Sequence, residues 1–169
     1  MQPDRLVVTQ PDRLAPELAV AIRDMTHEDL PAVLACERAG YQFPWSEGLF
    51  NDCLKAGYQC QVAVSEAGLV GFAILMCAVG EGHILNICVA PAARSKGVAR
   101  QLMQACMQAA HERDVTEMFL EVRPSNLVAI TLYEKHGFHE VGRREKYYPA
   151  KRGREDALIM ARVLFKDDD

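Results

Sequence analysis

The sequence predicts a single α/β (α+β) domain with a mixed, mostly antiparallel central sheet flanked by helices. Three stretches carry that expectation. Ile84 to Val89 is a short apolar run rich in β-branched residues, stopped by Pro91, and a basic glycine-containing turn, Arg94 to Ala99, then feeds a segment with Val98, Leu102, Cys106 and Ala109 at helical spacing. Glu117 to Val122 reads as a buried strand after that helix, so strand, turn, helix and strand imply one parallel crossover. The third stretch is a pair of meander-like regions, Tyr58 to Val89 before the crossover and Phe138 to Phe165 after it, which supply antiparallel neighbours.

In order along the chain, Met1 to Ala19 contains a near-duplication, Gln2-Pro3-Asp4-Arg5-Leu6 and Gln10-Pro11-Asp12-Arg13-Leu14, too short to build a repeat architecture. Residues 1–20 are expected to be a flexible leader, 21–165 the folded domain and 166–169 an acidic, solvated tail. Ala21 to Arg23 begins the first strand. Thr26-His27-Glu28-Asp29 has the composition of a helix N-cap with acid in the first turn, Pro31 is tolerable there, and Gly40 ends the helix whose apolar face is Leu30, Val33 and Leu34. Tyr41 to Glu47 is an aromatic loop with the only tryptophan, Trp45; it is either pinned to the core by its aromatics or a wall of an acceptor groove. Ser46 is placed to cap a second helix with an apolar side of Leu49, Phe50, Cys53 and Leu54. Tyr58 to Ser65 alternates like a half-buried strand, Leu69 to Val79 is continuously apolar, and Gly80-Glu81-Gly82 is expected to connect it to the central strand. Asn126 to His136 reads as a helix closed by Gly137, and Phe138 to Tyr147 with Asp156 to Phe165 as a hairpin.

Composition narrows the function classes. At 169 residues and 50% hydrophobic content the chain suits one domain with a proper core. A net charge of −4 supplies no polycationic footprint, so nucleic acid is not an expected direct ligand. Six scattered cysteines without a Cys-x-x-Cys pair read as small buried hydrophobes in a reducing compartment, so neither a disulfide framework nor a metal site is expected. With no long apolar run and no signal-peptide pattern, no membrane association is expected and the cytoplasm is the default location.

The basic turn has the makings of an anion cradle, because the first N–H groups of a helix lack intrahelical partners and sit at the positive end of its dipole. Gly97 and Ala99 leave room for an anion, and Arg94, Lys96 and Arg100 add charge. The Gly-Lys-Ser/Thr ending of NTPase phosphate loops and the Gly-x-Gly-x-x-Gly dinucleotide fingerprint are both absent. The turn resembles the Arg/Gln-x-x-Gly-x-Gly/Ala pyrophosphate loop of the GNAT acetyltransferases. A second stretch, Leu120-Glu121-Val122-Arg123-Pro124-Ser125-Asn126 with Ala129 to Phe138, is similar to another signature of that family. Phe43 to Glu47, Asn86 to Val89, Tyr147-Tyr148-Pro149 and Glu155-Asp156-Ala157 look like the branch that acetylates the N-terminal alanine of a small-subunit ribosomal protein; the likeness spans Ala21 to Leu164.

That resemblance implies a GNAT fold, acetyl-coenzyme A as co-substrate and the N-terminus of a ribosomal protein as acceptor. It implies Glu121 as general base and Tyr133 as general acid, with Asn126 near the pantetheine arm. Ile87, Cys88 and Val89 are expected to bond that arm through their backbones, and Arg94, Ser95, Lys96, Gly97, Val98, Ala99 and Arg100 to cradle the pyrophosphate. Cys88, where alanine is expected, and Ala99, where many relatives carry glycine, depart from the pattern, but both are small residues at backbone-binding positions. Read without the family, Glu121 is a structural acid at a strand end and Tyr133 a core aromatic. The alternatives are a GNAT enzyme acting on lysine side chains or small amines, and a non-catalytic acyl-coenzyme A-binding module. The expected oligomeric state is a monomer.

Overall fold

The computed structural model describes residues 16–164. Strands β1 (Ala21–Asp24), β2 (Gln59–Ser65), β3 (Gly68–Ala78) and β4 (Glu81–Val89) are consecutive antiparallel neighbours. β5 (Glu117–Val122) joins β4 in parallel, and β7 (Arg154–Val163) lies antiparallel between β5 and the edge strand β6 (His139–Pro149). The result is a seven-stranded sheet in the order β1-β2-β3-β4-β5-β7-β6. Helix α3 (Val98–Glu112) makes the crossover between the two parallel strands.

The continuous apolar run of β3 belongs to a central strand covered on both faces. Phe72 and Ile74 face a cluster built with α1 (Leu30–Gly40) and α2 (Glu47–Lys55), whereas Ala73 and Leu75 face a second cluster built with α3 and Tyr133 of α4 (Leu127–Lys135). Successive side chains of a strand point to opposite faces, and here each face has its own helix layer. Among the described residues, no helix is long and apolar enough to cross a membrane.

Several elements follow their local chemistry. Ser46 caps α2, its hydroxyl accepting from the Leu49 N–H at 3.3 Å. Gly137, in the left-handed region at φ 84°, terminates α4. Two expectations change. The connector between β3 and β4 is Val79-Gly80, both left-handed at φ 49° and 78°, and such a two-residue turn leaves Glu81 and Gly82 free to pair with Ala78 and Cys77. Gly82 is therefore in the strand, and it suits that place because a methyl group there would lie 3.2 Å from Val115. Leu49 is 47% exposed and not part of the apolar side of α2, because Phe50 and Cys53 occupy the face turned to the sheet.

One irregularity positions everything that follows. Leu75 pairs with Ile84, but its neighbour Ile74 pairs with Asn86, so Leu85 is an extra residue in β4. This bulge exchanges the two faces of the strand: Ile84 packs in the α3 cluster, while Cys88 packs against α1. Pairing of β4 with β5 ends at the same point, at Ile84 and Leu120. Beyond it β4 stays with β3 as far as Val89 and β5 stays with β7 as far as Val122, and the sheet opens into a cleft.

At the start of α1, Asp29 accepts from both terminal nitrogens of Arg23 at 2.8 Å and from the Thr26 N–H at 2.8 Å. The Arg23 hydrogen bonds foremost, and then the Thr26 N–H, hold its carboxyl at about 2. A carboxyl depressed by folding adds stability above its unfolded pKa and loses it as pH falls through the folded one. The wild-type advantage over Asp29→Asn, followed by chemical denaturation, is accordingly expected to be level above about pH 4 and to shrink toward about pH 2.

Candidate active site

The cleft is lined on one side by backbone. The Ala90 N–H donates to the Val70 carbonyl at 2.8 Å, and the register continues as Val89 opposite Gly71 and Cys88 opposite Phe72. In an antiparallel ladder this makes Cys88 a hydrogen-bonded partner of β3 and turns the N–H and C=O groups of Ile87 and Val89 outward, into the gap left by β5. Side chains meet both outward carbonyls: the Tyr41 hydroxyl donates to Ile87 and the Arg94 Nε donates to Val89 at 3.3 Å. The Cys88 side chain points the other way, its sulfur 3.6 Å from that of Cys36 and donating to the Cys36 carbonyl. That contact first, and burial second, push its thiol far above the usual range, so it stays protonated and is a poor nucleophile.

The strand runs out through Ala90 and a short 3₁₀ turn, Pro91–Ala93, into the basic loop. Ser95 and Gly97 are both left-handed, at φ 61° and 77°, and this double reversal brings the chain to the N-terminus of α3. The first helical bond is from the Gln101 N–H to the Gly97 carbonyl, so the N–H groups of Val98, Ala99 and Arg100 have no partner within the helix. Val98 contributes only its backbone, since its side chain is 1% exposed in the core. Lys96 donates to the Ala92 carbonyl at 3.2 Å, and Arg100 pairs with Glu17.

Across the cleft, Leu120 and Val122 are buried on one face of β5, which leaves Glu121 on the other. Its carboxylate is 2.8 Å from the Arg144 Nε and accepts from the Tyr147 hydroxyl, a bond that is the first cause of the raised Tyr147 pKa. Tyr147 and Arg144 reach Glu121 because β6 bulges: Arg144 pairs with Ala157 but Tyr148 with Glu155. The bulge is held by its partner strand, with Asp156 accepting the Lys146 N–H at 3.0 Å and Arg154 donating to the carbonyls of Lys146 and Tyr147 at 2.7 Å each. Tyr133 comes from α4, is 6% exposed and packs edge-on against Phe138; burial above all, then Tyr148, raises its hydroxyl well above the ordinary value. Asn126 caps α4, its Oδ1 accepting from the Ala129 N–H at 3.2 Å, which leaves its Nδ2 group and the second lone pair of Oδ1 for a ligand contact.

The aromatic loop divides between the two readings left open for it. Trp45 packs on Phe50 at 5.4 Å as a core anchor. Phe43 is 41% exposed and lies under the Arg123 guanidinium, which also stacks on Tyr148 at 4.5 Å, so this loop and the β6–β7 hairpin meet over the cleft. The loop is fastened to β4 by a buried polar pair: Glu37, 2% exposed, accepts from Asn86 Nδ2 at 2.9 Å and from the Trp45 N–H, and burial raises its carboxyl. Glu37 lies one heptad beyond Leu30 on the apolar stripe of α1, a position where a carboxylate signals a buried partner.

Residues 20–138 match the family model described as the Acetyltransferase (GNAT) family. The chain belongs to the GNAT family. As a GNAT protein it is an acetyl-coenzyme A-dependent N-acetyltransferase. It is 37% identical over 140 residues to the ribosomal protein bS18-alanine N-acetyltransferase of Escherichia coli K12, covering 83% of this chain and 95% of that one. Among solved structures, the Escherichia coli ribosomal-protein-S18-alanine N-acetyltransferase superimposes with a TM-score of 0.82 at 34% identity, over 89% of this chain and 97% of the other. Ard1 from Thermoplasma volcanium follows at 0.80 and 25%, covering 88% and 100%.

Removing the Glu37 carboxylate strands the buried Asn86 amide and takes an acceptor from the N–H of the half-buried Trp45. Glu37→Ala is expected to lower stability by about 2–4 kcal/mol in urea unfolding at neutral pH.

Proposed function

We propose that this GNAT enzyme acetylates the α-amine of the N-terminal alanine of ribosomal protein bS18. One observation carries the choice of acceptor: the 37% identity that runs through 95% of the Escherichia coli bS18-alanine N-acetyltransferase. The chemistry of the cleft agrees with it. An α-ammonium has a pKa of about 8 against about 10.4 for lysine, so an N-terminus needs about 3.5 kcal/mol less work to expose its lone pair. One carboxylate, acting directly or through a water, is an adequate base for such an amine.

In this reading Arg94 to Arg100 hold the pyrophosphate of acetyl-coenzyme A, a role for which the N–H groups at the start of α3, without partners inside the helix, and the missing Cβ of Gly97 are suited. Ile87 and Val89 take the pantetheine arm on the outward edge of β4, Cys88 lies between them as part of the same backbone, and Asn126 adds its Nδ2 group. Glu121, kept in place by Arg144 and Tyr147, receives the proton of the attacking amine. The Val89 N–H stabilises the oxyanion that forms at the thioester carbonyl. Tyr133 gives its proton to the departing thiolate; its phenol, raised further above neutrality by burial, carries that proton before the step. Transfer is direct, without an acyl-enzyme, and the high thiol pKa of Cys88 fits a bystander.

The test is mass spectrometry of a peptide copying the bS18 N-terminus, incubated with acetyl-coenzyme A beside an N-blocked copy. One acetyl group on the free α-amine and none on the blocked peptide is the expected result; equal labelling of both at lysine overturns the assignment. Glu121→Gln and Tyr133→Phe are each expected to lower kcat about 10²- to 10⁴-fold while coenzyme A still binds in calorimetry. An unchanged kcat in Tyr133→Phe removes that residue from the mechanism.

A further inference from the structure

The segment before β1 crosses the anion cradle. Its Leu18 N–H donates to the Lys96 carbonyl at 2.9 Å, and Gln101 Nε2, in the first turns of α3, donates to the Leu18 carbonyl at 3.1 Å. Just before the residue that makes both ties, Glu17 turns its carboxylate onto the loop: it pairs with Arg100, and a methyl group added to Gly97 would stand only 3.1 Å from its Oε1. Leu18 and Val20 pack against the α3 cluster and give the segment an apolar footing. Glu17 to Val20, assigned from the sequence to a flexible leader, is thus laid along the loop by its own hydrogen bonds; residues 1–15 lie outside the described part of the chain. Nearly all of this segment precedes residue 20, where the match to the family begins.

A carboxylate and a phosphate ask for the same surroundings: N–H donors at a helix start, a cation, and no Cβ in the way. Glu17 uses two of these, the Arg100 guanidinium and the space over Gly97. We propose that Glu17 is an internal competitor of the coenzyme, a carboxylate tethered at the pyrophosphate loop that must swing away before the pyrophosphate can enter, so that this residue sets the affinity for coenzyme A. The proposal rests on the reading of Arg94 to Arg100 as that loop. A tethered group competes at a high effective concentration, although it carries one charge against the several of the coenzyme. Because both ties to Leu18 run through backbone and Gln101, and Glu17 itself is more than half exposed, the side chain can leave while the segment stays docked.

Competition of this kind multiplies the dissociation constant by the inverse of the fraction of molecules with an open loop. The experiment is calorimetric titration of the full chain and its Glu17→Gln and Glu17→Ala variants with coenzyme A, and separately with pantetheine, which has the arm but no phosphate. Coenzyme A is expected to bind about 3- to 10-fold tighter to both variants, with pantetheine affinity unchanged, as an open fraction of about 0.1–0.3 in the wild type requires. Equal or weaker binding of coenzyme A by the variants overturns the proposal, as does an equal gain for both ligands. Coenzyme A failing to bind wild type and variants alike overturns the pyrophosphate-loop reading itself, and the competitor with it. The acceptor assignment is not touched by any of these titrations.

Discussion

The structure turns on one extra residue, placed where two parallel strands part. β4 and β5 share four pairs, from Glu81 opposite Glu117 to Ile84 opposite Leu120, and Leu85 then bends β4 away. Each strand keeps its other neighbour, so the separation costs few hydrogen bonds while it exposes one edge of β4 inside the molecule. The same bulge sends the Cys88 side chain to α1, which leaves the chain between Ile87 and Val89 to act through its backbone. The loop to α3, the Glu121 carboxylate and the Tyr133 phenol are grouped around a gap that this one insertion creates.

The two walls of that gap are braced in different ways. On the α1 side the brace is buried: Glu37, 2% exposed, accepts from the Asn86 amide and the Trp45 N–H. On the hairpin side it is charged and half-exposed, with Arg123 held between Phe43 and Tyr148 and paired with Glu155, and Arg144 on Glu121. Exposed ion pairs are individually weak and rearrange easily, whereas a buried carboxylate with two donors fixes its surroundings. The gap is firmly braced along its α1 wall and more adaptable along its hairpin wall.

Much of this was readable in the sequence where local chemistry decides the outcome. The Ser46 cap, the Gly137 stop, the helical stripe of Val98, Leu102, Cys106 and Ala109, and the strand-turn-helix-strand order depend on residues close together in the chain, and they hold. The bulge at Leu85 did not show, because an apolar run looks the same with or without a register shift, and only the partner strand reveals it. Arg144 gives no functional signal for a similar reason: a charge on the exposed edge strand looks like solvated surface until a second bulge, held by Arg154 and Asp156 of β7, turns it onto Glu121. Glu37 did carry a signal, a carboxylate on the core side of α1, and Tyr41 none, since its bond to Ile87 joins residues 46 positions apart.

The bonds from Tyr41 and Arg94 to the outward carbonyls of β4 have a consequence for solubility and selectivity. An interior strand edge facing a water-filled gap is an invitation to any extended chain, including another copy of the protein in a partly unfolded state. Adding a strand requires donors and acceptors in alternation along the whole edge. With the Ile87 and Val89 oxygens already engaged by side chains, the edge presents mainly N–H groups, and a polypeptide finds half its ladder taken. A ligand that offers chiefly oxygen acceptors meets no such mismatch. The two side chains make the opening a socket for carbonyl-bearing ligands and a poor template for β-aggregation.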